Sequence, residues 1–141
     1  MPVKHKIIVT YTKDLSVEIP DVETLLLARE RISKYKITLD ITSKPLKNKM
    51  IEVFTKLKYT EVEESKKKAL FEILHSTVVE IEDTKIEKNE MKKFILCDLQ
   101  VEVFPKIREA FVQILRHSGF PEANFSGEID FLKLYQQRSN Q

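Results

Sequence analysis

Phe104-Pro105-Lys106-Ile107-Arg108-Glu109-Ala110-Phe111-Val112-Gln113-Ile114-Leu115-Arg116-His117-Ser118-Gly119 carries the best-marked helix of the chain. Phe104, Ile107, Phe111, Ile114 and Leu115 recur at helical spacing and make one apolar stripe. Pro105 suits a first helical position, Arg116 and His117 suit the last turn, and Gly119 suits the residue just past the end. Such a stripe has to face a sheet or a partner. What precedes it is written in a different period, and that contrast sets the fold class.

Upstream, the residues alternate in twos, the strand period. Tyr35, Ile37, Leu39 and Ile41 alternate with Lys36, Thr38, Asp40 and Thr42. From Lys13 to Ile19, Leu15, Val17 and Ile19 oppose Asp14, Ser16 and Glu18. A turn with Pro45 and Asn48 leads to Met50 through Tyr59, where Ile51, Val53, Leu57 and Tyr59 share a face, and a charged loop at Glu61 to Lys67 returns the chain. The run from Ala69 to Ile81 puts Phe71, Ile73, Val79 and Ile81 on one side, with Leu70, Leu74 and Val78 among Glu72, Ser76 and Glu80 on the other. That second, half-apolar face points to an oligomer interface or a ligand surface. The spacings predict antiparallel hairpins followed by helices, an α+β chain of one domain over 1–141.

Asp21 to Lys34, with Leu25-Leu26-Leu27, has no clear period and reads as a short helix or a crossover loop. Glu90 to Gln100 shows a weak helical pattern in Met91, Phe94 and Ile95. A shorter helix over about Ile129 to Gln137 closes the chain, with Ile129, Leu132 and Tyr135 in register.

At 141 residues, 42% hydrophobic and 33% charged, the composition is globular, and no apolar run approaches the ~20 residues of a membrane helix. The opening Met1-Pro2-Val3-Lys4-His5-Lys6 leads into only three apolar residues, so no secretory core is expected and the chain is expected in the cytoplasm. A lone Cys97 fits a reducing compartment. The balance of 24 basic and 22 acidic residues gives no case for nucleic acid, and Gly119 and Gly127 are too few for a phosphate-cradling loop.

Catalytic readings are thin. Cys97 with Asp98 and one of His5, His75 or His117 makes an imaginable thiol nucleophile, but a Cys between Leu96 and Leu99 reads as a small buried hydrophobe. The histidines are dispersed and lack a second Cys, so no metal and no cofactor is expected. Lys66-Lys67-Lys68 and Lys92-Lys93 neighbour Glu63, Glu64 and Glu90 without interleaved aromatics and read as solvated turns. Asp14 and Glu18 stand about 13 Å apart on one strand face, which suits water or a basic or zinc-bearing partner.

Several stretches together resemble the SecB family of bacterial protein-export chaperones. They are Tyr11-Thr12-Lys13-Asp14 running to Glu18 and Pro20, Phe104-Pro105 with Arg108-Glu109, the Gly119-Phe120-Pro121 exit, and Asp130-Phe131-Leu132-Lys133-Leu134-Tyr135. Leu39-Asp40-Ile41 and Leu70-Phe71-Glu72-Ile73 agree in pattern. The resemblance implies a four-stranded antiparallel sheet with two C-terminal helices packed on one face, assembled as a homotetramer, a dimer of dimers. It implies a holdase, not an enzyme, that keeps preproteins unfolded without ATP and docks on the translocase motor SecA. The family's docking positions fall on Asp14, Glu18, Leu70 and Glu72. Clients are expected at the crossover residues Leu25, Leu26 and Leu27, with Phe131 and Tyr135 as aromatic walls. The oligomer interface is expected at Tyr11, Phe104, Ile107, Phe111 and Ile114.

The chain departs from the family in being slightly basic, in a tail reduced to Gln136-Gln137-Arg138-Ser139-Asn140-Gln141, in a crossover without Trp, and in the polar segment Glu80 to Asn89 where the family is glycine-rich. These departures fit a divergent member, and the alternative role is that of a SecB-like chaperone protecting an antitoxin in a toxin–antitoxin system.

Overall fold

The computed structural model describes residues 3–63, 67–82, 85–125 and 129–139, the last two by backbone only. Met1, Pro2, Glu64, Lys66, Asp83, Gly127, Asn140 and Gln141 of the sequence readings above lie outside the described residues. The chain runs β1 (His5–Glu18), α1 (Val22–Glu30), a 3₁₀ turn (Ile32–Lys34), β2 (Tyr35–Pro45), β3 (Met50–Glu61) and β4 (Leu70–Ile81). It continues as α2 (Lys88–Lys93), a π turn (Phe94–Asp98), α3 (Leu99–His117) and α4 (Phe131–Ser139).

The strands form one antiparallel sheet in the order β1-β4-β3-β2. Two hairpins join β2, β3 and β4, and Asn48 and Lys49 take positive φ in the first turn, which Asn tolerates best. β1 and β2 lie on opposite edges, so α1 carries the chain across the sheet. Register puts Tyr59 and Val17 beside Phe71, and Leu57 and Leu15 beside Ile73, gathering the apolar face read from the period of two. Two extra residues, Ile8 and Lys13, interrupt the β1–β4 ladder as bulges. The first of them falls in Ile7-Ile8-Val9 and hides the alternation there, so the strand starts eight residues before the readable part.

α3 lays its stripe on this face. Phe71, Phe94, Phe111, Leu57, Ile73, Leu99 and Ile107 are the large side chains fully enclosed. Phe111 meets Tyr59 edge-on at 5.1 Å, and Phe71 meets Phe120 at 5.7 Å between ring centres. The helix ends in the expected way: Gly119 takes φ +98, and the Phe120 amide donates to the Leu115 carbonyl at 3.0 Å. A Cβ at Gly119 would also stand 2.7 Å from Leu25 Cδ1, so this glycine lets α1 approach the end of α3.

The start of that helix differs from expectation. Pro105 is not its first residue; it lies inside α3, which continues without a break from the π turn and α2. Proline denies the Val101 carbonyl its usual amide partner, at a residue that is 60% exposed. The ambiguous segment 21–34 is a helix. Its cap is Asp21, whose Oδ1 accepts from the Thr24 amide and hydroxyl, both at 2.7 Å, and these bonds hold the carboxyl at about 2.

Candidate functional site

β2 is an edge strand, and α3 is too narrow to cover its inner face. Ile37, Leu39 and Ile41 of β2 therefore line an open cavity of about 590 Å³, together with Leu96 of the π turn and Leu134 and Tyr135 of α4. Tyr59 and Phe125 line this cavity and a second of about 410 Å³, which Arg29, Ile32, Leu115 and Phe120 complete. Together they make an apolar path from the crossover to α4. Burial pushes the Tyr35 and Tyr59 phenols above their ordinary value, so both stay neutral. The Tyr35 oxygen accepts from the buried Ala69 amide at 2.8 Å, fixing the lining of the first cavity to the start of β4.

The expected client residues are distributed unevenly around this path. Tyr135 lines the first cavity. Phe131 lines it too while being buried against Phe104, with ring centres 5.4 Å apart. Leu25 packs on Gly119 and the core, Leu27 is half-buried, and Leu26 is 54% exposed. The crossover reaches the path through Arg29 and Ile32 instead. Ile37, Leu39 and Ile41 were visible only as an apolar face wanting cover, because uncovered and covered apolar faces share one sequence pattern, and Leu134 lay off the Ile129, Leu132 and Tyr135 register read for the last helix.

The opposite sheet face is mixed, with Leu70, Leu74 and Val78 of β4 among Glu72, Ser76 and Glu80. There Asp14 stands across from Leu74, Ser16 from Glu72 and Glu18 from Leu70, so the four expected docking residues form one contiguous patch of β1 and β4. Lys56 Nζ lies 3.3 Å from Glu72 Oε1, a surface pair of small net worth. Beside the patch, Glu52 accepts from Ser76 Oγ at 2.6 Å and the Tyr11 hydroxyl at 2.9 Å. The Ser76 bond, with that of Tyr11, holds the Glu52 carboxyl below its ordinary range.

Of the expected interface residues, Tyr11 is 40% exposed on this outer face and Ile114 is half-buried. Phe104, Ile107 and Phe111 are enclosed in the protomer's own core, because the sheet already covers the stripe that carries them. On β1, Ile8, Val9 and Leu15 are exposed apolar side chains.

The remaining chemistry is structural. Cys97 is buried, and desolvation with the neighbouring Asp98 pushes its thiol up. His5 pairs with Glu102 at 2.9 Å, and His75 bonds the Thr10 hydroxyl. Lys67 pairs with Asp21 and Glu23, and Lys68 reaches the Glu61 carbonyl. Among the described residues no three His, Cys, Asp or Glu side chains gather at a metal-binding spacing, and no helix is long and apolar enough to cross a membrane.

A family model described as preprotein translocase subunit SecB matches residues 2–141. The chain is 42% identical over 140 residues to a SecB-named protein of Pelagibacter ubique (strain HTCC1062), covering 99% of this chain and 100% of that one. It is 29% identical over 129 residues to protein-export protein SecB 1 of Polaromonas naphthalenivorans (strain CJ2), covering 91% and 80% respectively. Its fold is similar to that of a Mycobacterium tuberculosis SecB-like chaperone solved with an antitoxin peptide, with a TM-score of 0.65 at 8% identity and coverage of 88% and 90%. The sheet order, the family match over residues 2–141 and the Pelagibacter relative agree, and the chain belongs to the SecB family of protein-export chaperones.

Proposed function

We propose that this protein is a cytoplasmic, ATP-independent holdase that binds extended apolar segments of unfolded preproteins and delivers them to SecA. The observation that carries this reading is the apolar path left open between β2 and α4. Each client Leu or Phe buried there contributes about 1.5–3 kcal/mol, against roughly 0.5–1.5 kcal/mol for immobilising it. A single contact is therefore weak. Several contacts spread over a homotetramer give useful avidity while leaving each site free to release. In this account Leu26 extends the path at its rim, Leu25 and Leu27 hold the crossover against the body, and Phe131 and Tyr135 form its aromatic end. The dimer of dimers uses the β1 edge with Tyr11 and the Ile114 side of α3, with Phe104, Ile107 and Phe111 supporting from beneath.

Asp14, Glu18, Leu70 and Glu72 supply a docking patch for the zinc-bearing tail of SecA. Three carboxylates around one leucine suit a basic, metal-bearing partner. The antitoxin role rests on likeness of fold at 8% identity, which bears on architecture alone.

The test is calorimetric titration of the protein with the zinc-loaded SecA tail, alongside suppression of aggregation of an unfolded preprotein. The wild type should bind, Asp14→Lys/Glu18→Lys should not, and salt should weaken the contact as the Debye length shrinks from about 10 Å at 0.1 M to about 3 Å at 1 M. Holdase activity without heat from the tail would move the role to antitoxin protection. No holdase activity at all would remove the reading, as would a monodisperse monomer of 16.6 kDa in light scattering.

A further inference from the structure

The π turn at Phe94–Asp98 sits where α2 becomes α3, and it determines which side chains of this helical run face the path. A π turn inserts one residue into the helix, so everything before it is rotated by about 100° relative to an uninterrupted α-helix. The insertion has a definite cost. In an α-helix the Leu99 amide would bond the Ile95 carbonyl; here it bonds the Phe94 carbonyl instead. The Ile95 oxygen is left to another donor.

That donor is the side chain of Gln100. Its Nε2 donates to the Ile95 carbonyl at 3.1 Å, and its Oε1 accepts from Thr55 Oγ1 at 2.9 Å. Gln100 and Thr55 are 0% and 1% exposed, and Thr55 lies mid-sheet on β3, across from Ile41 of the cavity lining. One buried amide thus replaces the missing backbone donor and ties the turn to the strand beside β2. A polar side chain in this core is stable only with both bonds made. With the turn held, Phe94 faces inward against His5, ring centres 4.7 Å apart, while Leu96 faces the cavity.

We infer that Gln100 is a positioning residue for client binding: by locking the π turn to Thr55, it fixes Leu96 as a wall of the cavity. The inference rests on the holdase reading for what the cavity takes. Without the amide, the turn relaxes toward α-helical register, and Phe94 and Leu96 compete for positions that only one of them fits.

Gln100→Leu keeps the volume and removes both bonds, whereas Thr55→Val removes only the tie to the sheet. The measurements are the affinity for a fluorescein-labelled, unstructured peptide rich in Leu and Phe, and backbone amide exchange across 94–99 compared with 107–115. Folded Gln100→Leu should lose exchange protection across 94–99 alone and bind the peptide about tenfold more weakly, the loss of part of one buried leucine contact. Thr55→Val should fall between it and the wild type. Equal affinity of folded Gln100→Leu and wild type, or unchanged exchange across 94–99, overturns the inference. A merely structural role would lower protection everywhere and leave the affinity of the folded fraction unaltered. Failure of the wild type itself to bind the peptide overturns the holdase reading instead, and the exchange comparison then still decides whether Gln100 holds the turn.

Discussion

Leu134→Asp isolates the cavity from the core. Leu134 stands on α4, lines the larger cavity and is 40% exposed, so it contributes little to the protomer's own packing. Fully burying a leucine is worth about 1.5–3 kcal/mol, and the part still open to a client is worth about 1 kcal/mol of that. A carboxylate there must also shed water against apolar neighbours, at about 1–2 kcal/mol if it stays partly solvated. The sum, about 2–3 kcal/mol, is a roughly 30- to 150-fold weaker Kd. Stability should barely change. Asp costs about 0.5 kcal/mol of helix propensity, while an acid near the start of α4 gains about as much from the helix dipole. Asp130 already caps that end, accepting from the Lys133 amide at 3.0 Å. The assay is fluorescence anisotropy with an unstructured apolar peptide, beside a thermal melt of the same sample. A folded Leu134→Asp protein that binds within about twofold of wild type would refute the placement of clients between β2 and α4.

Tyr35→Phe should destabilise the fold by about 1–3 kcal/mol, because the Ala69 amide, fully buried, would lose its acceptor. At this chain length that lowers Tm by several degrees, and an unchanged melt would show that the bond contributes nothing. The histidines should oppose one another in pH. Burial, with Lys106 nearby, lowers His75 from 6.5, so its contribution is present above that value and lost as pH falls through the lowered one. Burial opposes protonation of His5, but the Val3 carbonyl and Glu102 outweigh it and raise His5 above 6.5. Its contribution is therefore present below 6.5 and lost as pH rises through the raised value. Relative to wild type, His75→Gln should gain Tm on going from about pH 7.5 to pH 5, and His5→Gln should lose it. Parallel Tm profiles for all three proteins would reject both assignments.

Strands were legible wherever one residue per pair faced the core, as in Tyr35-Lys36-Ile37-Thr38-Leu39, because the period of two is then unbroken. It failed where a bulge added a residue, at Ile7-Ile8-Val9, and where a π turn did the same to the helix, at Phe94 to Asp98. In both places the inserted residue shifts the phase of the apolar pattern, so Pro105 looked like a beginning. The helix of the crossover had a signal in Asp21 and Thr24, a capping pair, masked by the unphased Leu25-Leu26-Leu27. That Asp14, Glu18, Leu70 and Glu72 share one face was legible, because strand faces follow from the period of two. The cavity was not, since its existence depends on how far α3 and α4 reach across the sheet. The Thr55–Gln100 contact joins residues of ordinary polarity from distant parts of the chain, and nothing in either stretch marks it.

The bulges at Ile8 and Lys13 bear on a hazard peculiar to this strand. β1 is a fourteen-residue edge with Ile8, Val9, Tyr11 and Leu15 in the open, the kind of surface that templates unlimited strand addition. An extra residue in two places twists the edge and throws its free amides and carbonyls out of phase with a regular incoming strand. Only a segment bulged or bent to match can pair along its full length, and a second copy of β1 carries the same irregularities. The edge thus discriminates against ordinary extended chains, and a protein that handles unfolded polypeptides avoids growing into a fibre with them.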